Sequence, residues 1–303
     1  MNKKIVFLLL ILLIPLLSSA QRWKRMRYEF AFGLGASNFL GELGGADQIG
    51  TDYFRDIEIS MTRPVLSVGV RYKINKWLAG KTNLTYARIS GNDKLTTEES
   101  RNYRNLSFRS DIIEFSVQIE PAVIKEQAGH RYRLKGVKGR KWKMVNTYPF
   151  IGVAVFYFNP KADYQGKWHS LRPLCTEGQG FFPTRKKYSL IQISVPVGIG
   201  FKYGYNRRWG VSLEYGIRKT FTDYIDDVST TYISEQYFYT EFDEEKSNLA
   251  AALADQSDDS KPQKTAAGQQ RGDPSDNDSY MFAIFSLNYK FTWKKRRRSR
   301  PKF

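Results

Sequence analysis

Between residues 66 and 89 the chain reads LSVGVRYKINKWLAGKTNLTYARI. Apolar side chains take every second position of its first half (Leu66, Val68, Val70, Tyr72, Ile74), with Gly69, Arg71 and Lys73 between them. A period of two gives a strand one apolar and one polar face, whereas a helix would repeat every 3.6 residues. Asn75-Lys76 breaks the run, and a second alternating arm follows with Leu78, Leu84 and Tyr86. Each arm can cross a bilayer at a tilt, which takes about 9–11 residues. The unit recurs along the chain, so the first expectation is an all-β, eight-stranded, up-and-down antiparallel transmembrane barrel.

Eight segments carry the pattern: 28–40, 62–74, 78–89, 108–120, 147–158, 188–203, 209–221 and 280–292. An even count closes an antiparallel barrel without edges. Connections after the second and sixth segments are tight, at Asn75-Lys76 and Tyr205-Asn206-Arg207, while those after the first, third, fifth and seventh are long. Short turns on one side and long loops on the other suit periplasmic turns, extracellular loops and periplasmic termini. The connection 121–146 departs from this, being long where a short turn belongs.

One face collects Tyr28, Phe30, Phe32 and Leu34, then Ile113, Phe115, Val117 and Ile119, Ile151, Val153, Val155 and Tyr157, the odd positions of 191–203 and 209–217, and Met281, Ala283, Phe285, Leu287, Tyr289 and Phe291. This face is assigned to lipid. The other carries Glu29, Arg71, Lys73, Lys81, Asn83, Glu114, Gln118, Glu120, Glu214, Arg218, Asn288 and Lys290. An eight-stranded barrel is just wide enough for side chains to fill it. Opposite charges there can pair, and unpaired ones are costly. The interior therefore reads as a plugged polar network, centred on Glu29, Arg71, Lys81, Glu114, Glu214, Arg218 and Lys290. Register follows from the same logic. Pairing Ile74 with Trp77 would put Lys81 on the lipid face beside Val70. Pairing Ile74 with Leu78 sets Val68 beside Leu84 and Leu66 beside Tyr86, and turns Arg71 and Lys81 inward. A one-residue slip exchanges faces, so a three-residue connection, 75–77, is expected, with Trp77 at the periplasmic interface.

Residues 5–17 form the longest apolar run, preceded by Lys3 and Lys4 and followed by Ser18-Ser19-Ala20. This is the layout of a secretory signal over residues 1–20, cut before Gln21. Cys175 is the only cysteine and His130 and His169 the only histidines, too few for a metal cluster or an internal disulfide. No nucleotide loop, nucleophile elbow or zinc-protease motif occurs. The one catalytic candidate, His169-Ser170 beside Trp168, lacks an evident carboxylate orienter. No cofactor or enzyme activity is expected.

Charge is sorted by side. The loop 222–278 holds 14 Asp/Glu against 4 Lys/Arg, and its small, polar composition reads as partly disordered. The opposite side is basic. The segment 21–27 carries Arg22, Lys24, Arg25 and Arg27. The connection 125–143 carries Arg131, Arg133, Lys135, Arg140, Lys141 and Lys143 among eight Lys/Arg against Glu126. The tail 294–303 carries Lys294, Lys295, Arg296, Arg297, Arg298, Arg300 and Lys302. The net charge of the three segments equals the whole chain's formal +18. Such a concentration calls for an anionic partner or surface. The export signal argues against nucleic acid, leaving outer-membrane lipid headgroups or an acidic periplasmic protein face.

FLGELGG at 39–45, TRPVLSVGVRYKINKWL at 62–78, YARISGND at 86–93, RSDIIEFSVQIE at 109–120 and the closing Arg-Pro-Lys-Phe resemble PorG-type proteins. These are small outer-membrane barrels of Bacteroidetes associated with type IX secretion and gliding motility. The resemblance spans nearly the whole mature chain except the loop after the seventh segment. It implies a non-enzymatic accessory role, linking the membrane to a periplasmic ring of PorK/PorN-like proteins. An OmpA- or OmpX-like structural or adhesive barrel, acting through extracellular loops, is the alternative.

Overall fold

A computed structural model describes residues 26–43, 59–95, 99–126, 145–206, 208–257 and 265–291. Among these residues are ten strands: β1 (Tyr28–Leu40), β2 (Arg63–Lys73), β3 (Leu78–Asn92), β4 (Ser107–Pro121), β5 (Val145–Tyr157), β6 (Pro160–Tyr164), β7 (Lys167–Ser170), β8 (Ile191–Tyr203), β9 (Trp209–Thr220) and β10 (Ser279–Phe291). Eight of them close a barrel in the order β1-β2-β3-β4-β5-β8-β9-β10, with β10 returning to β1 and every pairing antiparallel. The remaining two, β6 and β7, form a hairpin that extends the sheet from the end of β4. Among the described residues three short helices lie in the connections, α1 (Glu99–Arg104) between β3 and β4, and α2 (Gln236–Glu241) and α3 (Glu244–Ala254) between β9 and β10. No helix of the described residues is long and apolar enough to cross a membrane.

The alternation sorts side chains as a lipid-facing barrel requires. Phe32, Leu34, Leu66, Phe115, Ile151 and Phe285 are 52–66% exposed, while Glu29, Arg71, Lys81 and Glu114 are at most 3% exposed. An apolar surface of this extent marks a membrane or partner contact, and here it circles the barrel as a band. Met281 departs from the expected facing pattern. It is 3% exposed, because Tyr215 lies over it with its hydroxyl 3.1 Å from the sulfur.

Register in the first hairpin matches the facing argument. Leu66 pairs with Tyr86, Val68 with Leu84 and Arg71 with Lys81. The Ile74 amide donates to the Leu78 carbonyl at 3.0 Å across the turn 75–77. Asn75 Oδ1 accepts from the amides of Trp77 and Leu78, each at 2.8 Å, and so holds the turn. The turn between β8 and β9 repeats the device: Asn206 Oδ1 accepts from the amides of Arg208 and Trp209, again at 2.8 Å. Side-chain-to-backbone bonds of this kind are why Asn recurs in turns. These turns mark one end of the barrel, called the turn end below.

The other end is capped. The composition of 222–278 suggests partial disorder, but the described parts of this loop are folded and contain α2 and α3. Phe238, Ala250, Leu253 and Ala254 pack on Ala162, Leu171 and Leu174 from the β6–β7 side. Composition misleads here because the loop borrows its core from another connection. Residues 258–264 lie outside the described set. The β6–β7 hairpin was also unexpected. Its turn, Gln165-Gly166, has φ of 54° and 80°, the pattern of a two-residue I′ turn, with Gln where Asn or Asp is usual.

Candidate functional site

The lumen is filled in two tiers. Nearest the turn end, the ladders place Lys290, Glu29, Arg71, Lys81 and Gln118 side by side on consecutive strands. Arg71 is the hub. Its guanidinium reaches Glu29 at 2.8 Å, Glu120 at 2.5 Å and Glu214 at 2.9 Å, and donates to the Tyr148 hydroxyl at 2.6 Å. Tyr148 in turn donates to Glu214 at 2.7 Å, and Lys81 pairs with Glu214 at 2.7 Å. Lys202 pairs with Glu29. Higher up, Glu114 accepts from the Tyr280 hydroxyl at 2.8 Å and lies 3.4 Å from Arg218. Glycines make room for the rings that complete this filling. A methyl at Gly200 would overlap Tyr148, and methyls at Gly198 and Gly216 would overlap Phe150.

Above the charged tier the lumen turns apolar. Phe39, Val65, Ile89, Phe108, Ile112, Phe156, Phe158 and Phe282 form one cluster with Ile225 and Val228 of the loop after β9. That loop thus stoppers the barrel with its own side chains. Where it meets the cap lies a polar seam. Arg271 pairs with Glu177 at 2.9 Å and Arg104 with Asp93 at 2.7 Å. Glu177 also accepts from the Ser229 and Thr230 amides at 2.9 and 3.0 Å.

The seam carries more acid than base. Both carboxylate oxygens of Asp223 and one each of Glu42 and Asp278 are buried without a hydrogen-bond partner. Burial pushes Asp223 up to about 8 and Glu42 up to about 7, and raises Asp226 and Asp278 well above the usual carboxylate range. Among the described residues no three metal-ligating side chains converge.

All seven interior residues proposed from sequence (Glu29, Arg71, Lys81, Glu114, Glu214, Arg218 and Lys290) are buried in the barrel. Sequence reasoning did not single out Lys202, Tyr148 or Glu126 for this network. Lys202 was legible from its even position in β8. Tyr148 and Glu126 were not, because aromatic content and a lone acid among bases are ambiguous locally. Glu126 comes from the connection after β4 and accepts from Lys73 at 3.0 Å and from Lys290. Residues 122–124 are tied beneath the barrel by bonds to Trp77 and Thr147.

Of the basic positions, Arg27 is described, and it donates to the Tyr72 hydroxyl at 2.9 Å. Arg22, Lys24 and Arg25, the basic residues at 131–143, and those at 294–302 lie outside the described residues. His169 and Ser170 are successive residues of β7, so they project to opposite faces, and Ser170 accepts from the Asn159 amide side chain at 3.2 Å. That is not a catalytic pair. Cys175 is buried, and burial raises its thiol.

A family model described as "Outer membrane protein beta-barrel domain" matches residues 6–239, well over half the chain. The chain belongs to this outer-membrane barrel family. Its members reside in the outer membrane, and the exposed apolar band described above is the surface such residence needs. Among curated proteins none matches. Solved structures align along most of their length. The attachment invasion locus protein Ail of Yersinia pestis, in complex with the heparin analogue sucrose octasulfate, shares 10% identity, with 88% of this chain and 100% of that chain covered and a TM-score of 0.36. OprG from Pseudomonas aeruginosa shares 8%, with 89% and 98% covered and a TM-score of 0.37. A major outer membrane protein of Thermus thermophilus shares 12%, with 87% and 99% covered and a TM-score of 0.36. The family assignment rests on the family model.

Proposed function

We propose that this barrel is a non-enzymatic assembly protein that acts at its turn end, which faces the periplasm with both termini. There it docks a periplasmic ring complex of a type IX-like secretion and gliding machinery. The filled lumen carries this reading: side chains and the stoppering loop occupy the space a pore would need, leaving the two ends as working surfaces. The basic segments match the chain's entire net charge of +18, and they flank the turn end in sequence. An acidic face on PorK/PorN-like proteins is the complementary partner. Deleting residues 294–303, or reversing their charges, is expected to release ring proteins from the purified barrel while it stays in the membrane. Unchanged co-purification would sink the idea.

The folded cap favours a second reading, a structural or adhesive barrel acting outward through its loops. Disordered loops would offer no fixed surface, whereas the packed α2–α3 unit does. Replacing residues 230–272 with a short linker would then abolish function, and changes to the basic tail would leave it intact.

A further inference from the structure

On the outer wall, just on the cap side of the last apolar residues, two cations face one another, with Asp111 as the neighbouring acid felt by Lys161. Arg109 of β4 and Lys161 of β6 are direct partners in the antiparallel ladder, and flanking Ser110 and Pro160 point inward. Like charges directly opposite each other in a sheet are destabilising. Neither side chain makes a hydrogen bond or ion pair to protein among the described residues, and Arg109 Nε is buried without a partner. The nearest acid along β4, Asp111, is already engaged: it takes Arg88 at 2.8 Å and the Tyr86 hydroxyl at 3.0 Å. Trp168 stacks on the Arg109 guanidinium at 3.8 Å, fixing its plane. Below Asp111 on the same outer face are Ile113 and its ladder partners Tyr86 and Tyr157, 40–49% exposed. Aromatic Tyr86 and Tyr157 mark the boundary level of such a band.

We propose that Arg109 and Lys161 form a binding site for a phosphate of an outer-leaflet lipid, whose acyl chains lie on the apolar wall below. The arrangement has what such a headgroup needs: a planar fork pre-oriented by Trp168, a second cation across the ladder, and a position at the edge of the apolar band. The anion adds a counter-charge directly at the Arg109 fork, where Asp111 is committed to Arg88 and Tyr86. The site rests on the reading that the cap faces outward. An epitope placed at Gln165-Gly166 and probed on intact cells tests that orientation separately.

The test uses the full mature chain purified in neutral detergent, with native mass spectrometry after addition of a diphosphorylated glycolipid, its dephosphorylated form, or inorganic phosphate. Wild type is expected to retain the phosphorylated lipid at least about tenfold better than the dephosphorylated one, as charge-assisted bonds imply. The Arg109→Gln/Lys161→Gln double variant is expected to lose that preference while its unfolding temperature stays equal or rises, since the substitutions remove a repulsion. Lys219→Gln, on the far wall, should leave the preference intact. Equal retention of both lipids by wild type, an unaltered preference in the double variant, or full displacement by equimolar inorganic phosphate would each overturn the proposal.

Discussion

Arg71 shows how one residue can hold together a lumen that is otherwise unfavourable. Three carboxylates, Glu29, Glu120 and Glu214, converge on its guanidinium at 2.5–2.9 Å. Removing one partner of a buried pair costs about 3–5 kcal/mol, because the survivors keep their desolvation cost without compensation. Arg71→Met leaves three acids against one another with only lysines nearby. It is expected to lower unfolding stability in detergent by about that amount, read as an earlier urea midpoint of the heat-modifiable band. A midpoint within error of wild type would show the network to be redundant. Gly200→Ala probes the same hub from outside, since the added methyl meets the Tyr148 ring. Overpacking of this kind typically costs about 1–3 kcal/mol, and the displaced ring would also loosen its bond to Arg71. Sequence parity identified Arg71, Lys81 and Glu214 as inward residues. It could not say that one arginine would gather three acids from β1, β4 and β9, because convergence depends on how strands stagger around the closed barrel.

At the scale of elements, the two asparagine turns and the cap behave differently. Asn75 supplies two backbone bonds to its turn, and Asn75→Ala is expected to cost about 1–3 kcal/mol, from two bonds at about 0.5–1.5 each. Asn206→Ala should match it, and a null effect at both sites would mean that strand pairing alone sets the register. The cap seam depends on pH. Asp223 and Glu42 sit above their ordinary values, at about 8 and about 7, because burial disfavours the charged form. The folded seam therefore binds protons that the open one releases. Its stability is full below the unfolded carboxylate range near pH 4 and falls as pH rises through 7 to 8. Hydrogen exchange of residues 222–235 should be slower at pH 5 than at pH 9, once corrected for the intrinsic pH dependence of exchange, and Asp223→Asn should flatten the difference. Protection that is independent of pH would contradict the seam's protonation. None of this was readable from the loop's composition, in which 14 acids suggest solvation. Asp226 and Asp278 are buried where distant segments meet, the Leu43 amide donating to Asp226 at 3.2 Å and the Ile225 amide to Asp278 at 2.8 Å.

For the whole molecule, the barrel is a closed wall around a solid interior. Reconstituted in a planar bilayer, it is expected to show no conductance above the lipid baseline, and stable single-channel steps would refute the filling. Period-two alternation in segments such as 66–89 determined the strands, their facing and the first hairpin's register, because each depends only on neighbours in sequence and on which face must avoid lipid. The tertiary structure alone decided that the upper lumen is apolar, that Glu126 reaches up to Lys73 and Lys290, and that an acidic loop folds into a cap on the core of another connection. Those outcomes join residues far apart in the chain, and burial of charge is settled by the partners that closure brings together.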